Sequence, residues 1–171
     1  MSQTGETNEP HSLFAGLLNA LKLRIATHAE QRPTEPIDAA ISKLADITPL
    51  QTHDIVINGL PVSVARDFMA TYRIVSRKEV LQTIGVSERT LQRGKNFDLA
   101  LDSNASDRLI RLAAVTEHAI DVFGSKDAAE RWLVTPALGL DGRKPLDLLQ
   151  TSEGVKLVKL FLTRIDYDVC S

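Results

Sequence analysis

The sequence predicts an all-α protein, with a central helix-turn-helix bundle followed by a small helical module. Two observations carry this. Apolar residues recur at three- and four-residue steps through most of the chain, the period of one helix face. Serine, threonine or proline opens these stretches and glycine closes several of them, as helix caps require. The chain has 171 residues, 43% hydrophobic and 25% charged, enough for one ordinary domain or two small ones. The expected division is an N-terminal extension over 1–48, partly disordered, then a helix-turn-helix domain over 49–107 and a C-terminal module over 108–171.

The elements follow in order. Residues 1–10 are polar and acidic. A helix is predicted from about Ser12 to His28, since Phe14, Leu17, Leu18, Leu21 and Ile25 share a face. Pro33 and Pro36 mark a linker. A helix from about Ile37 to Ala45 follows. Thr48 to Pro61 is ambiguous: Asp54 to Gly59 reads either as a short strand ending in a turn or as an irregular loop. Pro61 opens a helix to about Met69, because its missing N–H costs nothing in the first turn.

Ser76 caps a short helix through Thr83. Gly85-Val86 turns the chain, and Ser87 caps a second helix to about Lys95. Asp107 to Phe123 is a longer amphipathic helix closed by Gly124, a natural left-handed terminator. Ser125 caps Lys126 to Leu133. The Asp141-Gly142 turn leads to about one helical turn from Pro145 to Leu149. Thr151 caps the last helix, to about Ile165, with Val155, Val158, Phe161, Leu162 and Ile165 as its buried stripe. Trp132, Pro136, Gly142, Pro145, Leu149 and Gly154 read as structural residues of the C-terminal module.

Charge is unevenly spread. The net charge is −2, yet residues 73–95 hold six Lys or Arg against two Glu, leaving the remainder acidic. A basic island of this kind suits phosphate contact. It coincides with Arg77 to Lys95, whose short helix, glycine turn and capped second helix describe a helix-turn-helix. Val86 and Leu91 would pin the second helix against Leu81 and Ile84. Glu88, Arg89, Thr90, Gln92 and Arg93 then point outward, where Arg and Gln suit bidentate contacts to guanine and adenine edges. Arg77 and Lys78 would meet phosphates, and Ser87 and Lys95 complete the DNA-binding set. Operator DNA is the expected nucleic-acid partner, bound by a homodimer.

Other classes find little support. His11, His28, His53 and His118 share no metal-ligand spacing, and no phosphate loop or dinucleotide fingerprint is present. We therefore expect no enzyme activity, metal or cofactor. No signal peptide or membrane-length apolar run is evident. A single cysteine, Cys170, leaves no disulfide framework. A cytoplasmic location fits.

The C-terminal stretch carries a more specific signal. Trp132-Leu133, Thr135-Pro136, Gly142, Pro145-Leu146-Asp147-Leu148-Leu149, Thr151, Gly154, Val158, Leu162 and Arg164 to Tyr167 stand in an order that resembles the toxin-binding domain of Xre/MbcA/ParS-type antitoxins. The run Ser87 to Arg93 is similar to the recognition helix of Xre antitoxins. The resemblance implies a type II toxin–antitoxin system whose partner is a RES-domain toxin that consumes NAD or transfers ADP-ribose from it. It also implies that the module docks over the toxin's NAD-binding cleft, with Arg164, Asp166, Tyr167, Asp168 and Val169 in contact. The sequence departs from the family pattern at Asp168, where glycine is usual, at Leu140-Asp141, where small residues are usual, and at Gly94. A stand-alone helix-turn-helix transcriptional regulator without a toxin is the alternative.

Overall fold

The structure, a computed structural model, describes residues 49–93 and 99–169, with side-chain surroundings through Tyr167. The helices expected at 12–28 and 37–45, the end of the recognition helix at Gly94 and Lys95, and Cys170 lie outside the described residues. Within them the chain forms eight α-helices: α1 Pro49–Asn58, α2 Val62–Ala70, α3 Arg77–Ile84, α4 Glu88–Arg93, α5 Ser103–Phe123, α6 Lys126–Val134, α7 Pro145–Leu148 and α8 Ser152–Val169. A 3-10 turn, Leu138–Leu140, separates α6 from α7. Among the described residues no strand forms. Two isolated antiparallel bridges, Pro61 with Ala100 and Ala137 with Arg143, tie loops together.

The segment before Pro61 differs from expectation. It is neither strand nor loop but the helix α1. Its Ile55-Val56-Ile57 run favours strands, but each β-branched residue costs a helix only a few tenths of a kcal/mol. Pro49 stands at the first helical position, and Gly59, at φ +81°, ends the helix by donating to the Ile55 carbonyl at 3.0 Å. A β-carbon at Gly59 would lie 2.3 Å from the Leu101 carbonyl oxygen, so this junction accepts little but glycine.

The later caps follow the sequence. Ser76 and Glu79 form a capping box at α3, each side chain bonding the other's backbone N–H. Gly85 and Gly124 close α3 and α5 in the left-handed region. Ser125 and Thr151 accept from Ala128 N–H and Gly154 N–H. Two boundaries move. The central helix starts at Ser103 rather than Asp107, because the Asp102 carboxylate accepts from Ala105 N–H at 2.8 Å. The last helix runs to Val169, past the expected end near Ile165.

α5 is the spine. It buries Ala105, Leu109, Leu112, Ala113, Val115, Ala119 and Ile120. α1 and α3 pack on it from the N-terminal side, α6 and α8 from the C-terminal side. One core therefore runs from Leu60 and Phe68 through Leu109 to Leu133, Leu149 and Leu162. The expected boundary at 107/108 lies inside this continuous helix.

Candidate DNA-binding and toxin-binding surfaces

α3, the Gly85 turn and α4 form the helix-turn-helix. Val80, Leu81, Ile84 and Leu91 are buried and Val86 partly so, which seats α4 as the spacing requires. Arg66 on α2 steadies the far end, donating to the Leu91 carbonyl at 3.4 Å. The outward residues then divide. Ser87 Oγ accepts from Thr90 N–H and shares a 2.9 Å hydrogen bond with Thr90 Oγ1, so both serve the cap. Glu88 pairs with Arg77 across the turn at 2.9 Å, both side chains being about half exposed. Arg89, Gln92 and Arg93 stand solvent-facing on α4, and Lys78 on α3. Ser76 as donor and the nearby Lys144 ammonium hold the Glu79 carboxyl below its ordinary value.

The C-terminal module is built around α6. Trp132 is half-buried between Phe123 and Phe161, at centroid distances of 5.4 and 6.3 Å. Asp141 and Gly142 both take positive φ, making the expected turn. Pro145 and Leu149 are buried, whereas Pro136 is exposed in the loop after α6. Gly154 lets α8 close on α7: a β-carbon there would fall 1.9 Å from the Leu148 carbonyl oxygen. Val155, Val158 and Leu162 face inward. The opposite side of α8 carries Leu157, Leu160, Arg164 and Tyr167, with the leucines 53% and 50% exposed and Tyr167 72%. Spacings of three, four and three residues line these four along one face. Leu138, 96% exposed, flanks Gly139, which itself rests on the Phe161 ring of α8. Asp166 is exposed, and Asp168 and Val169 fall in the last turn of α8.

Glu130 on α6 was not among the expected site residues. It is fully buried, and its Oε2 accepts from the backbone N–H groups of Arg73, Ile74 and Val75 at 2.9, 2.6 and 3.1 Å. One turn earlier, Lys126 donates to the Thr71 carbonyl, lies 5.6 Å over the Tyr72 ring, and stands 3.6 Å from Glu130 Oε1. That last distance is an ion pair rather than a hydrogen bond. The two side chains thus grip both polar ends of the 71–75 turn between α2 and α3. Hydrogen bonds to a charged group contribute about 1.5–3 kcal/mol each, which offsets the burial of the carboxylate. Burial lowers the Lys126 ammonium below its ordinary value, while Glu130 opposes that. Burial also pushes the Tyr72 phenol up. Tyr72 donates to Thr116 Oγ1 at 2.6 Å, since the Thr116 hydrogen is committed to the Leu112 carbonyl.

Among the described residues no cluster of His, Cys, Asp and Glu could hold a metal ion, and no helix is long and apolar enough to cross a membrane.

Comparison with known proteins agrees with this division of labour. Residues 51–114 match the antitoxin Xre-like helix-turn-helix domain, and residues 118–167 match the antitoxin Xre/MbcA/ParS C-terminal toxin-binding domain. The two matches meet on α5. A protein named antitoxin Xre from Yersinia enterocolitica is 31% identical over 106 residues, covering 61% of this chain and 72% of the relative. One of the same name from Photorhabdus laumondii is 29% identical over 114 residues, 66% of this chain and 76% of that protein. A third, from Pseudomonas putida, is 38% identical over 77 residues, 45% of this chain and 48% of its own length. With a helix-turn-helix on one side of α5 and a toxin-binding domain on the other, the chain belongs to the Xre antitoxin family.

Proposed function

We propose that this chain neutralises a RES-domain toxin by laying its C-terminal module over the toxin's NAD-binding cleft, as the partner of a type II toxin–antitoxin pair. The observation that carries it is the solvent-facing row Leu157, Leu160, Arg164 and Tyr167 on α8, inside the stretch matched to a toxin-binding domain. An isolated exposed leucine needs no explanation, but a helical row capped by an aromatic and an arginine has the composition of interface anchors. Arg164 meets carboxylates or carbonyls of the toxin, Tyr167 supplies a rigid amphipathic anchor, and Asp166, Asp168 and Val169 complete the contact. Closing the cleft needs no chemistry from the antitoxin, so the chain acts by binding and not as an enzyme.

The helix-turn-helix is assigned to the chain's own operator. Arg89, Gln92 and Arg93 read base edges, while Arg77, Lys78 and Lys95 meet phosphates. A homodimer places two recognition helices about one DNA turn, roughly 34 Å, apart. The functional division follows residues 49–107 and 108–171, with α5 as the shared frame. The exposed basic residues of α4 support the alternative, a regulator without a toxin, equally well; the toxin test separates the two. The adjacent gene's product is assayed for NAD consumption alone and with increasing amounts of this chain. Stoichiometric silencing, lost on deletion of residues 164–171, is expected. A partner indifferent to NAD, or undiminished silencing by the truncated chain, contradicts the assignment.

A further inference from the structure

Glu130 belongs to the toxin-binding module, yet its carboxylate is spent on the segment that leads into the helix-turn-helix. The three N–H groups of Arg73, Ile74 and Val75 converge on a single oxygen. Such convergence fixes the backbone of these residues in one orientation, because no rotation of the segment keeps all three bonds. Lys126, at the other end of the same turn, binds the Thr71 carbonyl. Apolar packing of similar volume often serves stability as well, so a buried carboxylate with three bonds on one oxygen and only an ion pair on the other acts chiefly to select one geometry. The same stretch carries exposed basic residues. Arg73, Ser76, Arg77 and Lys78 are all exposed, while Val75 between them and Val80 just beyond them are buried.

We propose that Glu130 is a positioning residue for operator binding. It holds the 73–75 backbone so that Arg73 joins Arg77 and Lys78 in one phosphate-contacting edge beside the recognition helix. Arg73 thereby becomes a DNA-backbone contact, and the attitude of the DNA-reading unit is set from α6 of the toxin-binding module. The inference rests on the operator-binding reading given above.

The test uses the full chain with Glu130→Gln, Glu130→Ala, Arg73→Ala, and Val158→Ala as a control that empties core volume far from the turn. Amide hydrogen exchange is followed at residues 73–75, and affinity is measured for a duplex spanning the chain's own promoter and for a random duplex. Glu130→Ala is expected to deprotect these amides and to weaken promoter binding roughly tenfold beyond any loss in the Val158 control. Glu130→Gln keeps the volume and one acceptor, so it falls between and serves if the alanine variant does not fold. Arg73→Ala is expected to lower the salt slope of binding by about one. Promoter affinity that drops no further than in the control, or an unchanged slope for Arg73→Ala, overturns the inference and leaves the functional reading intact. A wild-type chain that binds neither duplex overturns both.

Discussion

Gly154 should be the least replaceable residue of the C-terminal module, even by alanine. In an open helix, Gly→Ala is stabilising by about 1 kcal/mol, because alanine loses less chain entropy. At Gly154 the new β-carbon would lie 1.9 Å from the Leu148 carbonyl oxygen, 2.7 Å from its carbonyl carbon and 3.1 Å from its Cα. All three atoms are backbone, so no rotamer change relieves the contact, and α7 and α8 must part by roughly an ångström. Leu146, Leu149 and Val155 are buried around this junction and lose packing with that movement. Overpacking of this kind costs about 1–3 kcal/mol and more where backbone must shift, so it exceeds the helical gain. We expect a net loss of about 2 kcal/mol, or roughly 4–8 °C in Tm for a chain of this length. Thermal and urea denaturation measure it. Gly139→Ala is the comparison: its β-carbon would meet only the edge of the Phe161 ring, 2.3 Å away, and a side chain can swing aside. A Gly154→Ala protein as stable as wild type, or more so, would refute the close approach of α7 to α8.

Three further outcomes are expected. Glu88→Gln frees Arg77 from an exposed pair, changing stability by less than about 1 kcal/mol, and should tighten DNA binding at low salt; weaker binding in a gel-shift titration would mean that Glu88 itself touches a base. Glu79 has a folded pKa below its ordinary 4.5, so its contribution is complete above that value and is lost as pH falls through the depressed folded value. Stability measured between pH 2 and 6 should therefore decline less steeply on the acid side for Glu79→Gln, and an identical slope would deny the capping box that role. Trp132→Ala removes the ring between Phe123 and Phe161 and should cost about 3 kcal/mol, the low end for a tryptophan because it is only half-buried; a chemical denaturation midpoint near wild type would contradict its place in the core.

What was legible in the sequence was local. Ser76, Gly85, Gly124, Ser125 and Thr151 each satisfy or reverse backbone within a few residues, so their roles follow from neighbouring letters. The α1 helix was not legible, because Ile55-Val56-Ile57 carries strand propensity and the deciding constraint is the approach of Gly59 to Leu101. Glu130 escapes a sequence reading for a similar reason. Its partners lie more than fifty residues away and are backbone groups, which no side-chain pattern reports. A signal existed: Glu130 falls in helical phase with the buried Leu133. The outer row on α8 was half legible. Resemblance points to Arg164 and Tyr167 but not to Leu157 and Leu160. Both lie out of phase with the buried Val155, Val158 and Leu162, a mismatch that marks an apolar residue facing water.

The most direct test is the affinity of the toxin for the outer face of α8. Calorimetric titration of the adjacent gene's product with wild-type chain, with Leu157→Glu plus Leu160→Glu, and with the Glu79→Gln control asks whether that face is the contact. Anchor residues typically contribute at least about 2 kcal/mol each, so the double variant should bind several hundredfold more weakly or not at all, with its fold and operator binding retained. Equal affinity for wild type and double variant would contradict the placement of the toxin on this face.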